Sequence, residues 1–348
     1  PAENDTEHVW AVLALDKSDG KVLWQTKTTA GTPRAGRHPK SSRANPTPTT
    51  DGKTVVAIVG SQGMFALDAQ SGEQLWHVDL GVLDPGLYKD PTSNWGHASS
   101  PVIHDGLVFA QVDRHAGSFL AAYEVRTGKE VWRVDRVERP VWATPTMHIG
   151  DREELIVVGG EYARGYRPSD GKELWRFKDP QQVKTPTPFV VGDRIVFAGG
   201  YRGLPLYALR LGGSGDLSVP EGADSSEHLL WRSEPGGPYT STPIAVGDRL
   251  YFVRDTGVFS VIDLDSGEFL HTERLEETFS ASPVASDGHL FLAGEGGSLL
   301  VVETGAKPKV VATHDMAQPL MATPAISDGV LYVRGRTTLW ALEKSSRE

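Results

Sequence analysis

Hydrophobic positions along this chain come in short runs, each closed by a cluster of Gly, Asp and Ser. The stretch Thr242 to Leu270, TPIAVGDRLYFVRDTGVFSVIDLDSGEFL, holds one full set. Thr242-Pro243 opens an extended segment, and Gly247-Asp248 makes a turn. Arg249 to Arg254 is rich in aromatic and β-branched residues and predicts a strand. Asp255-Thr256-Gly257 turns, Val258 to Leu264 is the next strand, and Asp265-Ser266-Gly267 turns again before a last strand over Glu268 to Thr272. No helical periodicity persists over a useful window.

The same set repeats. A Ser/Thr-Pro or Asn-Pro opening recurs near Pro46, Pro101, Pro145, Pro188, Pro243, Pro283 and Pro324. A closing strand recurs around Trp24, Trp76, Trp132, Trp175 and Trp231; His271 and Val311 take the tryptophan's place in the last two copies. A four-strand unit of about 40–45 residues is the signature of a β-propeller blade. The longer intervals hold insertions: a Pro/Gly/Asp loop over Leu83 to Ser93, and a Gly/Ser/Asp-rich loop over Gly212 to Ser226, expected to be mobile or laid over the surface. Residues 8–28 read as the third and fourth strands of one blade, and residues 319–345 as the first three of another, with six complete units between. The expectation is an all-β protein, one propeller domain over residues 1–348, eight-bladed with an incomplete N-terminal blade. The alternative is seven blades, if the strand at Leu23-Trp24 closes the C-terminal one.

Charge and composition narrow the class. The 348 residues carry a formal net charge of −10, which argues against a general nucleic-acid binder. No apolar run approaches the ~18 residues of a membrane span. There is no cysteine, hence no disulfide. The chain starts at Pro1 in a polar segment without signal-peptide character, so a mature or trimmed product is expected. A monomer is expected.

Most conspicuous residues have a structural reading. The repeat tryptophans read as packing between blades, with each indole N–H satisfied locally. The Asp of LDxxSGE reads as a turn residue, lacking the distant glutamate of a calcium loop. Gly294 to Gly297 reads as a hairpin turn, since no helix follows to make a phosphate cradle. The scattered histidines support no zinc site, and no G-x-S-x-G elbow is present. What remains is positional. In a propeller, the loop entering each innermost strand and the loop joining its second and third strands lie on one face. The first loop set supplies Arg37, His38, Lys40, Arg43 and Asn45, then Trp95 and His97, then Trp142 and Tyr239. The second supplies Asp113, Arg114 and His115, then Glu161, Tyr162 and Arg164, Tyr201 and Arg202, Arg254, Glu295, and Arg334 with Arg336. Guanidinium groups suit a carboxylate or phosphate, and Trp and Tyr suit a planar ring or sugar face. The competing reading pairs these arginines with nearby Asp and Glu.

The repeat, with its TP opening, GD turn, ALD and SG before the tryptophan, resembles the quinoprotein-type (PQQ-like) propeller repeat. RHPKSSRANPTP, NWGHASSP, GSFLAAYE and VWATPT are similar to predicted extracytoplasmic bacterial PQQ-like repeat proteins. The resemblance implies a periplasmic or secreted protein, and function must still be argued from a site. Three readings stay open. The first is a non-catalytic binding or scaffold propeller without cofactor or metal, holding a protein partner, an anionic small molecule or a glycan. The second is an alcohol or sugar dehydrogenase using PQQ and calcium. The alcohol-oxidising members carry an adjacent cysteine pair that this chain lacks, and their calcium ligands do not map onto it. The third is an acidic-polysaccharide lyase with His38, His97, Tyr162 or Tyr239 as base or acid.

Overall fold

The computed structural model describes residues 6–38, 40–86, 94–179, 183–201 and 205–343. The strands form eight separate sheets that follow one another along the chain. Sheet 1 has two strands, His8–Leu15 and Val22–Gly31. Sheet 2 has four, Thr49–Thr50, Thr54–Ile58, Met64–Asp68 and Gln74–Val78, and sheet 3 has Val102–His104, Leu107–Val112, Ser118–Glu124 and Glu130–Arg136. Sheet 4 runs Thr146–His148, Glu154–Val158, Tyr162–Tyr166 and Glu173–Lys178, with a fifth strand, Gly215–Asp216, at its edge. Sheets 5, 6 and 7 begin at Phe189, Ile244 and Val284 and have four strands each; sheet 8 has three, Ala325–Ser327, Val330–Arg334 and Leu339–Leu342.

Within each complete sheet the blade strands pair with their chain neighbours, antiparallel throughout. The fold is thus an all-β propeller of four-stranded blades. In strand content it matches the seven-bladed alternative: six complete sheets, plus the strands of one further blade and one over, divided between sheets 1 and 8. Eight full blades would need three strands beyond those described. The chain divides into two compact units, residues 1–183 with 214–216, and residues 184–213 with 217–348, so sheets 1 to 4 belong to the first and sheets 5 to 8 to the second.

The repeat's sequence signals have specific structural jobs. In the SG turns an Asp side chain caps the chain: Asp68 Oδ1 accepts the Gln70 and Ser71 N–H groups, and Asp263 does the same for Asp265 and Ser266. These hydrogen bonds hold both carboxyls below the usual carboxylate range. The glycine that follows adopts a left-handed φ, 74° at Gly72. It also lies against the previous blade's tryptophan. A Cβ on Gly72 would fall 2.6 Å from the Trp24 ring, and one on Gly267 would meet Trp231 as closely. The indole N–H groups complete these seams. Trp24 donates to Ala69, Trp76 to Val125, Trp132 to Pro168 and Trp231 to Leu264, each to a carbonyl of the next blade. The predicted packing role of the tryptophans is met.

Every fourth strand carries a β-bulge immediately before the tryptophan. Trp76 pairs with Ala66 and Gln74 with Leu67, which leaves Leu75 outside the ladder. The same break falls at Leu23, Val131, Leu174, Leu230 and Leu270. A bulge bends its strand and re-aims the next side chain, here toward the neighbouring blade. In sheet 7 the bulged residue is Val311, and Ala312, paired with Val301, holds the tryptophan's place. The sequence assignment of Val311 to that place is therefore off by one.

The Ser/Thr-Pro openings form a second seam near the innermost strands. Thr47 N–H donates to the Ser100 hydroxyl, and Ser100 N–H to Thr144. In the second unit Thr187 donates to Thr242, Thr242 to Ser282, and Ser282 to Thr323. In each of these five bonds the hydroxyl before a proline receives the previous blade's corresponding N–H. By this register the opening of sheet 2 is Thr47-Pro48, two residues beyond the expected Pro46. Gly294 to Gly297 is a hairpin turn, as expected, closed by Gly297 N–H to the Gly294 carbonyl.

One insertion is more ordered than expected. Part of the 212–226 loop joins sheet 4, Gly215 and Asp216 pairing in parallel with Trp175 and Arg176. The Trp175 indole departs from the repeat and donates to Glu154 of its own sheet at 2.5 Å. Arg152 bridges Glu154 to the Ser214 hydroxyl. Residues 214–216 of the insertion thus cap this edge. Residues 87–93 of the other insertion lie outside the described residues.

Candidate functional site

The expected loop residues gather most closely in the first unit. A small cleft of about 20 Å³ opens where three loops meet: the segment leading into sheet 2, the turn between its second and third strands, and the segment leading into sheet 3. Arg34, Arg37 and Arg43 line it from the first, Gly60, Ser61 and Gln62 from the second, and Leu83, Gly96 and His97 from the third; Trp10 of sheet 1 also contributes.

These walls are held by specific bonds. Arg37 donates to the Ser41 carbonyl at 2.7 Å, and Arg43 to the Ala35 carbonyl at 2.8 Å. Arg34 pairs with Asp79. The Asn45 amide spans two loops: its oxygen accepts from Ser42, and its nitrogen donates to the Ser41 hydroxyl and the His97 carbonyl. Trp142 is buried and donates its indole N–H to Gly96, so it pins the loop that carries His97. Ser61 ties its turn to Leu83 in both directions.

His38 stacks on Trp95, ring centroids 3.7 Å apart. Burial and the neighbouring Lys40 charge hold the His38 ring below its ordinary pKa. Lys40 itself is exposed. His97 differs sharply. It is 5% exposed, and burial pushes its imidazole down to about 4, against a weaker upward pull from a main-chain hydrogen bond at Ser99. The ring is neutral at pH 7. Its Nε2 and the Gln62 Oε1 are buried without a hydrogen-bond partner.

Elsewhere the expected residues separate. Arg114 spans loops by donating to Val82 and Gly117. Arg164, though only 12% exposed, has its charge taken up by Glu138 and by Glu173 at 3.2 Å, and it lies over the Tyr162 ring. At this position the Asp/Glu-paired reading describes the geometry. In the second unit Tyr201 and Tyr239 meet edge to face at 5.1 Å, and burial raises the Tyr239 phenol. Arg254 is half-buried, and its Nε is enclosed without a hydrogen-bond partner. Arg334 ends its strand in an exposed position. Arg202 lies outside the described residues.

Sequence reading passed over a buried network in sheets 3 and 4. Arg136 makes two bonds to Asp113, at 2.9 and 3.1 Å, and one to the Tyr166 hydroxyl. Gln111 also donates to Asp113, at 2.6 Å. Burial raises the Asp113 carboxyl despite the Arg136 charge beside it. Arg136 stays protonated because Asp113 and its neighbours outweigh the burial that opposes its charge. The one available signal was RVDRVERPVW, where charges alternate with apolar residues along a strand.

Among the described residues no three His, Asp or Glu side chains gather as a metal-ligand group. No helix among them is long and apolar enough to cross a membrane.

The blades, seams and turns define a PQQ-like repeat propeller. The chain belongs to the family described as outer membrane protein assembly factor BamB, whose model matches residues 116–211 and 215–308. It is 25% identical over 310 residues to the BamB of Shewanella oneidensis, covering 83% of this chain and 68% of that protein. It is 25% identical over 204 residues to a tetrathionate hydrolase of Acidithiobacillus ferrooxidans, covering 55% of this chain but 37% of that one. Against the quinohemoprotein alcohol dehydrogenase ADH-IIG of Pseudomonas putida the match is 26% over 125 residues, 35% of this chain and 16% of the enzyme. The chain thus spans well under half of both enzymes. Among solved structures, BamB from Moraxella catarrhalis has a TM-score of 0.68 at 14% identity, over 94% of this chain and 88% of that one. A europium-containing methanol dehydrogenase has a TM-score of 0.66 at 12% identity, over 94% and 79%. At such identities these two structures support the fold alone.

Proposed function

We propose that this chain is a non-catalytic scaffold propeller of the bacterial cell envelope, which holds a protein partner against the loop face of its first unit. The observation that carries this reading is the family match together with the cross-tied loops at residues 33–45 and 94–97. Such loops present Arg37, Lys40 and the stacked His38–Trp95 pair on a preformed surface, which lowers the ordering cost of docking. The basic side chains favour an acidic partner segment, by charge complementarity. Tyr239, Arg254 and Arg334 of the second unit are candidates for further contacts.

Crosslinking of the intact protein in envelopes of its own host, read by mass spectrometry, tests the reading. Crosslinks from Lys40 to one recurrent protein are expected, and Trp95→Ala should reduce them several-fold. Crosslinks scattered without preference would overturn it. The dehydrogenase alternative has its own test. A thermal-shift titration with PQQ and calcium should leave the transition unmoved. A ligand that binds the folded state at one hundred times its Kd adds about 2.7 kcal/mol, which would be plainly visible.

A further inference from the structure

Sheet 1 differs from sheets 2 to 7 at one edge. Ala14 pairs with Trp24 as Ala66 pairs with Trp76, so His8–Leu15 is the counterpart of the third strand Met64–Asp68, and Val22–Gly31 that of the fourth strand Gln74–Val78. In sheets 2 to 7 the third strand lies between a second and a fourth. Among the described residues His8–Leu15 pairs along one edge only, with Val22–Gly31. Its other edge presents main-chain N–H and C=O groups to a further strand.

The side chains on one face of that strand are uncovered as well. In sheet 2, Phe65 and Leu67 are buried, paired with Ala57 and Val55 of the second strand. Their counterparts Leu13 and Leu15 are 48% and 38% exposed, and Val9 on the same face is 62% exposed. The opposite face is occupied: Trp10 is buried and packs with Val12 against Ala57, Val59 and Phe65 of sheet 2. The complete sheets show what covers such a strand. Second strands such as Thr54–Ile58 and Arg249–Val253 run antiparallel to the third and carry apolar residues in succession. An occupant of the open edge needs the same chemistry, an extended segment of about five residues that is apolar on both faces.

We propose that the open edge of His8–Leu15 accepts an antiparallel strand from the protein partner, an apolar segment that lies against Val9, Leu13 and Leu15 in the place of a second strand. The neighbouring loops point to a partner as the source. His8 pairs with Gly31, at the end of sheet 1 from which the 33–45 loop departs, and Trp10 lines the same cleft as Gly60 and Gly96. The edge therefore begins where the loop surface ends. A second copy of this chain is a poor donor, because the second strands of its complete sheets are already paired on both edges. Naming the partner as donor rests on the proposed function; the capacity to take a strand does not.

The first arm of the test uses the full chain and a labelled peptide copying residues 247–255, GDRLYFVRD, which holds the second strand of sheet 6. Saturable binding is expected, with amide hydrogen exchange slowed about tenfold over residues 8–15. Tyr251→Pro in the peptide breaks the strand and should abolish binding. Leu13→Lys and Val9→Lys in the protein, both at exposed positions, should each weaken it about tenfold, the loss expected for one apolar side chain. Absence of saturable binding overturns the proposal, as does equal binding of the proline peptide or protection that falls outside residues 8–15. The second arm places a photo-crosslinking side chain at Ala11 of the protein in envelopes of its own host. A crosslink to the protein that Lys40 reaches is expected. A crosslink within the protein's own polypeptide, or to a second copy, overturns the partner as donor. Peptide binding at the edge with scattered crosslinks from Lys40 would sink the loop-face reading and leave the strand-accepting edge standing.

Discussion

In the first unit, two enclosed polar regions are built on different chemistry. Around Arg136 the charges are paired: Asp113 receives two guanidinium bonds and one from Gln111, and Glu138 receives Arg164 and the Glu161 N–H, while the Gln111 Oε1 is buried without a partner. Around His97 the enclosed group is a neutral ring, and two acceptors, His97 Nε2 and Gln62 Oε1, have no hydrogen-bond partner. Paired buried charge costs little until one member is removed, and then it costs a great deal. An orphan acceptor already costs something, and its removal relieves that cost. The first region therefore rests on a buried ion pair, and the second on an imidazole that burial keeps neutral.

The comparison breaks most visibly at Arg136. Arg136→Ala leaves Asp113 enclosed with no countercharge, and a loss of about 3–5 kcal/mol is expected in urea unfolding at pH 7. A loss below about 1 kcal/mol would mean that water already reaches the pair, and the contrast with His97 would fail.

The next effect is on pH dependence. The unfolded imidazole takes its proton near pH 6.5, the folded His97 only near 4. Between these values the unfolded state holds more protons, so this group makes stability rise with pH and fall as pH drops. About 3 kcal/mol is expected to be lost between pH 7 and pH 4 on its account. Arg34, Arg37 and Arg43 line the same cleft, and Asp79 pairs with Arg34. The difference between the stability–pH curves of wild type and His97→Leu isolates the effect. Parallel curves would place the folded and unfolded imidazoles at the same pKa.

At fixed pH 7 the large loss expected at Arg136 should not recur. His97→Leu removes an orphan acceptor and keeps an apolar filling but gives up the main-chain hydrogen bond at Ser99, so stability should stay within about 1 kcal/mol of wild type. A fall of more than about 2 kcal/mol would show that Nε2 is satisfied, by a water for instance, and that the two regions are alike.

Much of the fold was legible because each repeat signal reports a local constraint. Asp68 and Gly72 mark a turn that needs a cap and a left-handed φ; Ser100, Thr144 and Thr242 stand before prolines where a hydroxyl is wanted. Errors arose where the signal depends on register. In NPTP two prolines compete, and only the hydrogen-bond register selects Pro48; KVVAT laid over KVLWQ puts Ala312, not Val311, in the tryptophan's place, with the bulged residue one before it in both. The site was legible only as a set of loops. His97 and Gln62 lie in segments that the fold brings together, and neither residue type announces that its polar atom lacks a partner. The Arg136–Asp113 pair was missed for a related reason: 23 residues separate its members, and burial, invisible in one sequence, is what makes the pair matter.

The smallest expected effect tests whether burial is what separates these regions from the rest of the repeat. Leu75 precedes Trp76, and the bulge excludes it from the strand ladder. It is 45% exposed, whereas Trp76 is buried in the seam between sheets 2 and 3. A hydrophobicity argument alone would give both residues weight. The geometry gives it only to Trp76, whose ring packs on Gly128 and whose N–H reaches the Val125 carbonyl. Leu75→Ser should therefore change unfolding free energy by no more than about 0.5 kcal/mol, the usual range for a surface position. A loss above about 1.5 kcal/mol would mean that the bulged aliphatics are covered in solution, and that the outer strands, not only the loops of the first unit, meet a partner.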